Sequence, residues 1–201
     1  MTNLTNPTRI NRPVRILAIP GSTRAGSYNR RLLEAARDVA PAGVEVEITD
    51  IGGLPFYDAD LEAAGEPAPV REFKERVRAA DALLIATPEY NGSIPGLLGN
   101  ALDWASRPRG QAPLDAKPVA ILGATPSPRG GAGAQAVLRQ VLTATRCAVV
   151  PEPDLLVRSA YERFDAAGSL SDEATRHRLR ELLATLVDRA AGTDAADRWA
   201  A

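Results

Sequence analysis

Three segments of this chain are apolar almost without interruption: VRILAI (Val14–Ile19), ALLIAT (Ala82–Thr87) and PVAILGAT (Pro118–Thr125). A strand that is apolar on both faces has to be covered on both faces, so each predicts an interior strand with helices packed above and below. Pro20-Gly21 ends the first of them. VEVEIT (Val44–Thr49) instead alternates Val44, Val46 and Ile48 against Glu45 and Glu47, which predicts one wet face and a place near a sheet edge. CAVV (Cys147–Val150) reads as a short last strand.

Helical spacing fills the intervals. Leu32, Leu33, Ala36, Val39 and Ala40 share one face of a helix from about Asn29 to Ala40. A second helix turns Val70, Phe73, Val77 and Ala80 inward, and a third follows Pro95 with Leu97, Leu98, Ala101, Leu102 and Trp104. A fourth carries Val137, Leu138, Val141 and Leu142. Ser171 is the predicted N-cap of the last, whose stripe is Leu179, Leu182, Leu183, Leu186 and Val187. Long loops are predicted from Asp50 to Ala68 and from Pro151 to Leu170. Five strands in strict alternation with five helices mean parallel strands joined by right-handed crossovers. The fold class is α/β, a three-layer doubly wound domain with a five-stranded parallel sheet over residues 14–190. Residues 1–13 are read as a loose polar arm and residues 191–201 as a tail.

Composition narrows the function. The chain has 201 residues, 45% hydrophobic and 24% charged, with a net charge of -1. That balance suits one globular domain and lacks the basic surplus of a nucleic-acid binder. One cysteine (Cys147) and one histidine (His177) exclude an intrachain disulfide and multi-Cys or two-His metal sites. No apolar run approaches a membrane span, and MTNLTNPTRINRP has no secretory core, so the expected location is cytoplasmic.

In a doubly wound sheet, ligands bind beyond the carboxyl ends of the strands, where strand order reverses. The loop after the first strand, Gly21 to Asn29, runs into a helix N-terminus, where free N–H groups and the dipole attract an anion. Ser22, Thr23 and Ser27 add hydroxyls, Asn29 an amide and Arg24 a positive charge, a receptor suited to a phosphate monoester. Neither the Walker pattern nor GxGxxG occurs there. The plainer reading is that Ser27 and Asn29 only cap the helix. In the loop after the third strand, Pro88-Glu89-Tyr90-Asn91-Gly92-Ser93-Ile94-Pro95-Gly96, two prolines add stiffness, and Tyr90 and the backbone amides can seat a planar ring; alternatively, Tyr90 packs in the core. After the fourth strand, Gly131, Gly133 and Ala136 fit G-x-G-x-x-A, with Glu152 about 20 residues on, a weak dinucleotide signature that competes with the first loop.

At these loops the chain resembles the NADPH-dependent FMN reductase family. Gly21, Ser22, Arg24, Ser27 and Asn29 match its G-S-x-R-x-x-S-x-N phosphate loop. Pro88-Glu89-Tyr90-Asn91, Ser93 and Pro95-Gly96 match its ring loop, and Asn100-Ala101-Leu102-Asp103-Trp104 the helix that follows. Gly99 stands where the family usually has Lys, and Gly133 where it usually has Arg. The resemblance implies a flavodoxin-like sheet of order 2-1-3-4-5 with FMN at the switch point. It implies reduction of FMN by NADPH or NADH, then electron delivery to a quinone, azo compound, metal oxyanion or free flavin, in a homodimer or homotetramer without nucleic-acid or membrane partners. Phosphate then falls to Ser22, Thr23, Arg24, Ser27 and Asn29. The ring falls to Pro88, Glu89, Tyr90, Asn91 and Gly92, with Ser127 and Arg129 at its border. The flavin carries the chemistry, so no acid–base or metal-ligating residue is assigned.

Other groups have plainer readings. Cys147 is expected to be an inert buried thiol, and His177 and the Arg176/Arg178/Arg180 series a wet helix face. Asp58, Asp60 and Glu62 are read as a solvated acidic loop, Phe56 and Tyr57 as a cover for the site or a subunit contact, and Trp104 as core or interface. A flavodoxin-type electron carrier is the alternative function, although such carriers are strongly acidic; an NAD-binding oxidoreductase using Gly131 and Gly133 is a third.

Overall fold

The computed structural model describes residues 12–128, 130–151 and 154–192. The three apolar segments form β1 (Val14–Pro20), β3 (Ala82–Ala86) and β4 (Pro118–Ala124), side by side and parallel. Every residue of β3 and β4 is buried. Successive side chains leave a strand on opposite faces, so Ile16, Ala18, Leu84 and Leu122 enter one layer, under α1 (Tyr28–Asp38) and α6 (Glu173–Ala191). Leu17, Ile19, Ile85 and Ile121 enter the other, under α3 (Ala68–Ala79), α4 (Gly96–Ala105) and α5 (Ala132–Ala144). Each such leucine or isoleucine contributes about 1.5–3 kcal/mol by leaving water.

β2 (Val44–Ile48) pairs with β1 at the sheet edge, with Val46 buried and Glu45 and Glu47 in solvent, as its alternation predicts. The order is β2-β1-β3-β4 and then a fifth position, as expected, but that position beside β4 holds a sixth strand as well. Two short strands fill it: β5 (Ala148–Val149) pairs with Pro118 and Val119, and β6 (Leu155–Val157) with Leu122 to Ala124. β5 pairs through the N–H groups of Ala148 and Val150, which donate to Lys117 O and Val119 O, and β6 buries Leu155 and Val157. The predicted long loop from Asp50 also contains a sixth helix, α2 (Ala59–Ala64). It buries no residue and so has no apolar stripe to read; Asp58 starts it by accepting from the N–H groups of Asp60 and Leu61.

The N-cap of α6 is Asp172, not Ser171. Its Oδ2 accepts from the N–H and hydroxyl of Thr175 at 2.9 and 2.5 Å, while the Ser171 hydroxyl donates to Arg163 O. Arg12, near the end of the expected arm, grips buried Asp81 through two hydrogen bonds of 2.7 and 2.6 Å. Residues 1–11 of that arm and 193–201 of the tail lie outside the described residues. Among the described residues no helix is long and apolar enough to cross a membrane.

Hydrogen bonds from Thr175, together with the nearby Arg163, hold the Asp172 carboxyl below its ordinary value of 3.8. A lowered native pKa adds stability above the unfolded value and loses it as pH falls through the native one. Asp172→Ala is therefore expected to cost about 1 kcal/mol at pH 7, and the gap to wild type should close as urea melts are taken below about pH 4. Gly99 lies inside α4, and a Cβ there would meet only Ile94 Cδ1, at 4.0 Å. Gly99→Ala should raise stability by up to about 1 kcal/mol in the same melts.

Candidate functional site

Because the strands are parallel, the carboxyl ends of β1, β3, β4 and β6 share one edge, and the loops leaving them form one rim. At its centre the packing is too tight for side chains. A Cβ on Gly123 would lie 2.8 Å from Thr87 O, and one on Gly21 3.0 Å from Ala86 O and 3.2 Å from Pro88 Cδ.

The loop after β1 turns once, with Ser27 N–H donating to Arg24 O at 3.0 Å, and enters α1. Ser27 is the N-cap; its buried hydroxyl oxygen accepts from Arg30 N–H. Ser22 is also buried, and its oxygen accepts from Arg24 N–H at 3.4 Å. The N–H groups of Thr23, Ala25 and Gly26 donate to no acceptor among the described residues, and helix geometry leaves those of Tyr28 and Asn29 unpaired as well. No acidic residue stands in the first turn of α1. Arg24 is exposed and forms no ion pair among the described residues. Asn29 spans the rim: its Oδ1 accepts from Ala124 N–H and its Nδ2 donates to Ala124 O, both at 2.9 Å. That pair ties α1 to the end of β4 and leaves one amide hydrogen for other use.

The loop after β3 is a tight hairpin. Tyr90 and Ser93 exchange two backbone hydrogen bonds of 3.0 Å around Asn91 (φ 53°) and Gly92 (φ 75°), a type I′ turn that Asn-Gly favours. Thr87, buried beneath it, donates its hydroxyl to Pro88 O. Tyr90 is 52% exposed, which removes the reading that packs it in the core.

The loop after β4 folds on itself, with Ser127 N–H donating to Thr125 Oγ1 and Ser127 Oγ accepting from Gly130 N–H. The weak dinucleotide motif meets an obstacle here. Glu89 Oε2 accepts from Gly131 and Ala134 N–H, both at 3.1 Å, and so occupies the α5 N-terminus that a pyrophosphate would need. A Cβ on Gly133 would lie 3.0 Å from that oxygen and 3.1 Å from Gly92 O. Arg129, expected at the ring border, and Glu152, the acid of that motif, lie outside the described residues.

The sequence reading did not foresee a fourth piece of rim. The chain beyond β6 joins it where Ala160 N–H donates to Thr125 O and Ser159 N–H to Ser127 O, while Phe164 packs on Tyr28 with ring centroids 5.5 Å apart. The apolar triplet Leu155–Val157 was its one local signal. Beyond β2, Pro55 O accepts from Asn100 Nδ2 and from Trp104 Nε1, fastening that loop to α4. Trp104 is fully buried. Tyr57 stands edge-on to it and donates to Glu62, which raises the phenol's pKa, and Phe56 is 84% exposed. Among the described residues no acidic or Cys/His group is arranged to hold a metal ion. Cys147 lies away from the rim, packed against the α3–α5 layer, where burial pushes its thiol up to about 11. His177 faces solvent beside Glu181.

The profile of NADPH-dependent FMN reductases matches residues 14–162. The chain is 46% identical over 173 residues to an NAD(P)H-dependent FMN reductase of Pseudomonas aeruginosa, covering 86% of this chain and 93% of that one. It is 40% identical over 170 residues to a 2-hydroxy-1,4-benzoquinone reductase of a Burkholderia species, covering 85% and 92%. Among solved structures, FerB, a flavoenzyme NAD(P)H:(acceptor) oxidoreductase from Paracoccus denitrificans, superposes with a TM-score of 0.78 at 35% identity, covering 88% of this chain and 96% of that one. The matched span takes in the loops after β1, β3 and β4, and the chain belongs to the NADPH-dependent FMN reductase family.

Proposed function

We propose that the rim binds FMN, with its phosphate at the N-terminus of α1 and its ring over the Pro88–Gly92 hairpin, in an oxidoreductase that takes reducing equivalents from NADPH or NADH and passes them to quinones. The observation that carries this reading is the contrast between two helix ends on one rim. The α1 terminus keeps unpaired N–H groups between two buried serines, whereas the α5 terminus is filled by Glu89.

The donor set fits a phosphate monoester. Ser22, Thr23 and Ser27 offer hydroxyls, the loop and first turn offer N–H groups, and Arg24 brings a charge-assisted contact. Asn29 contributes its remaining amide hydrogen and keeps the helix in register with β4. FMN, when bound, supplies the hydride-accepting chemistry. The chain's task is to orient and shield it. The type I′ hairpin presents the backbone of Pro88, Glu89, Tyr90, Asn91 and Gly92 in one fixed shape, and Tyr90 offers an exposed aromatic face beside it. Ser127 borders the ring from the next loop. Azo compounds, metal oxyanions and free flavin are further acceptors on this reading, which also carries a homodimer or homotetramer in the cytoplasm.

The purified protein is expected to be yellow, or to become so with FMN, and to oxidise NADPH or NADH when a benzoquinone is added. A colourless protein that takes up no FMN refutes the reading, and a yellow protein inert to both nucleotides would be an electron carrier instead. Arg24→Ala removes a charge-assisted contact worth about 1.5–3 kcal/mol. Fluorescence titration should then give FMN affinity at least tenfold weaker, and unchanged affinity would refute the phosphate assignment.

A further inference from the structure

The N-cap of helix α5 is Gly131, in the left-handed region at φ 100°, which has no side chain to cap it. Its cap comes from a hairpin more than forty residues earlier in the chain, where one oxygen of Glu89 accepts from both Gly131 and Ala134. The contact is close because Gly133 has no side chain: a Cβ there would press on Glu89 Oε2 at 3.0 Å and on Gly92 O at 3.1 Å. The hairpin therefore rests directly on the first turn of α5, with a carboxylate at the seam.

We propose that Glu89 is a positioning residue with two effects: it latches the ring-seating hairpin to α5, and its charge sets how readily the seated flavin is reduced. This rests on the placement of the flavin ring proposed above. A helix N-terminus left free would draw negative charge toward itself and favour the electron-rich, reduced ring. A carboxylate on that terminus offsets it and adds a fixed negative charge beside the seat, which disfavours reduction. Reduction of the bound flavin takes a hydride, two electrons and one proton, from the pyridine nucleotide, so the latch sets the driving force of that step and of the delivery to quinone that follows.

Two variants separate charge from hydrogen bonding. Glu89→Gln keeps one carbonyl oxygen able to accept from both N–H groups and removes the charge. Glu89→Ala removes both. The midpoint potential of the FMN-loaded full chain, measured against reference dyes, should favour the reduced form tenfold more in Glu89→Gln, about 30 mV more positive for a two-electron couple. A merely structural role would leave that potential where it is in wild type, and this result overturns the electrostatic part. Amide hydrogen exchange on the FMN-free chain reads the latch: Gly131 and Ala134 should lose protection in Glu89→Ala and regain it in Glu89→Gln. Unchanged protection in Glu89→Ala overturns the latch. A wild-type chain that takes up no FMN overturns the cofactor reading and the redox role with it, whereas the exchange measurement decides the latch independently.

Discussion

Burial of both faces of β1, β3 and β4 is the constraint from which the site follows. Strands covered on two sides must be joined by crossovers through the covering layers, and right-handed crossovers keep the strands parallel. Parallel strands deliver all their carboxyl ends to one edge, together with the N-termini of the helices that follow. An anion-attracting edge is thus a by-product of a core built from residues such as Leu84, Ile85, Ile121 and Leu122, all of them buried.

What distinguishes the α1 terminus from the α5 terminus on that edge is which of them is already satisfied. Helix α6 spends its first turn on Asp172, α2 on Asp58 and α5 on Glu89. Helix α1 is capped only by the neutral hydroxyl of Ser27, which satisfies one N–H and brings no charge. Between the α1 and α5 termini the electrostatic preference is therefore decided by a neighbouring carboxylate; α3 and α4, after Pro67 and Pro95, have neither a carboxylate in the first turn nor a side-chain cap. Loop composition already favoured the serine-rich approach to α1 over the weak glycine motif at α5, and the Glu89 contact supplies a physical reason that composition could not.

Legibility followed the range of the forces. The interior strands, the wet edge of β2 and the apolar stripes of α1, α3, α4, α5 and α6 were readable because burial repeats at the period of the element. The phosphate-loop candidates were readable because Ser22, Ser27 and Arg24 lie within a few residues of the helix start they serve. Helix α2 escaped because it buries nothing, and the break between β5 and β6 because two- and three-residue strands exist only through pairing with β4. Ser171 and Asp172 are both good caps on propensity; the hydrogen bonds of Thr175 and the carbonyl of Arg163 chose between them.

By itself, the sequence determined the parallel doubly wound class and the strand order expected from the family resemblance, and it singled out the loops proposed for the chemistry. Each of these depends on residues adjacent in the chain or on a short repeat. Tertiary structure decided that Asn29 braces α1 against Ala124, that the segment after β6 completes the rim, and that Glu89 closes the α5 terminus. Those contacts join residues about 35 to 95 positions apart. Their partners are backbone N–H and C=O groups, which every residue carries alike, so nothing in the lettering of the chain could mark them.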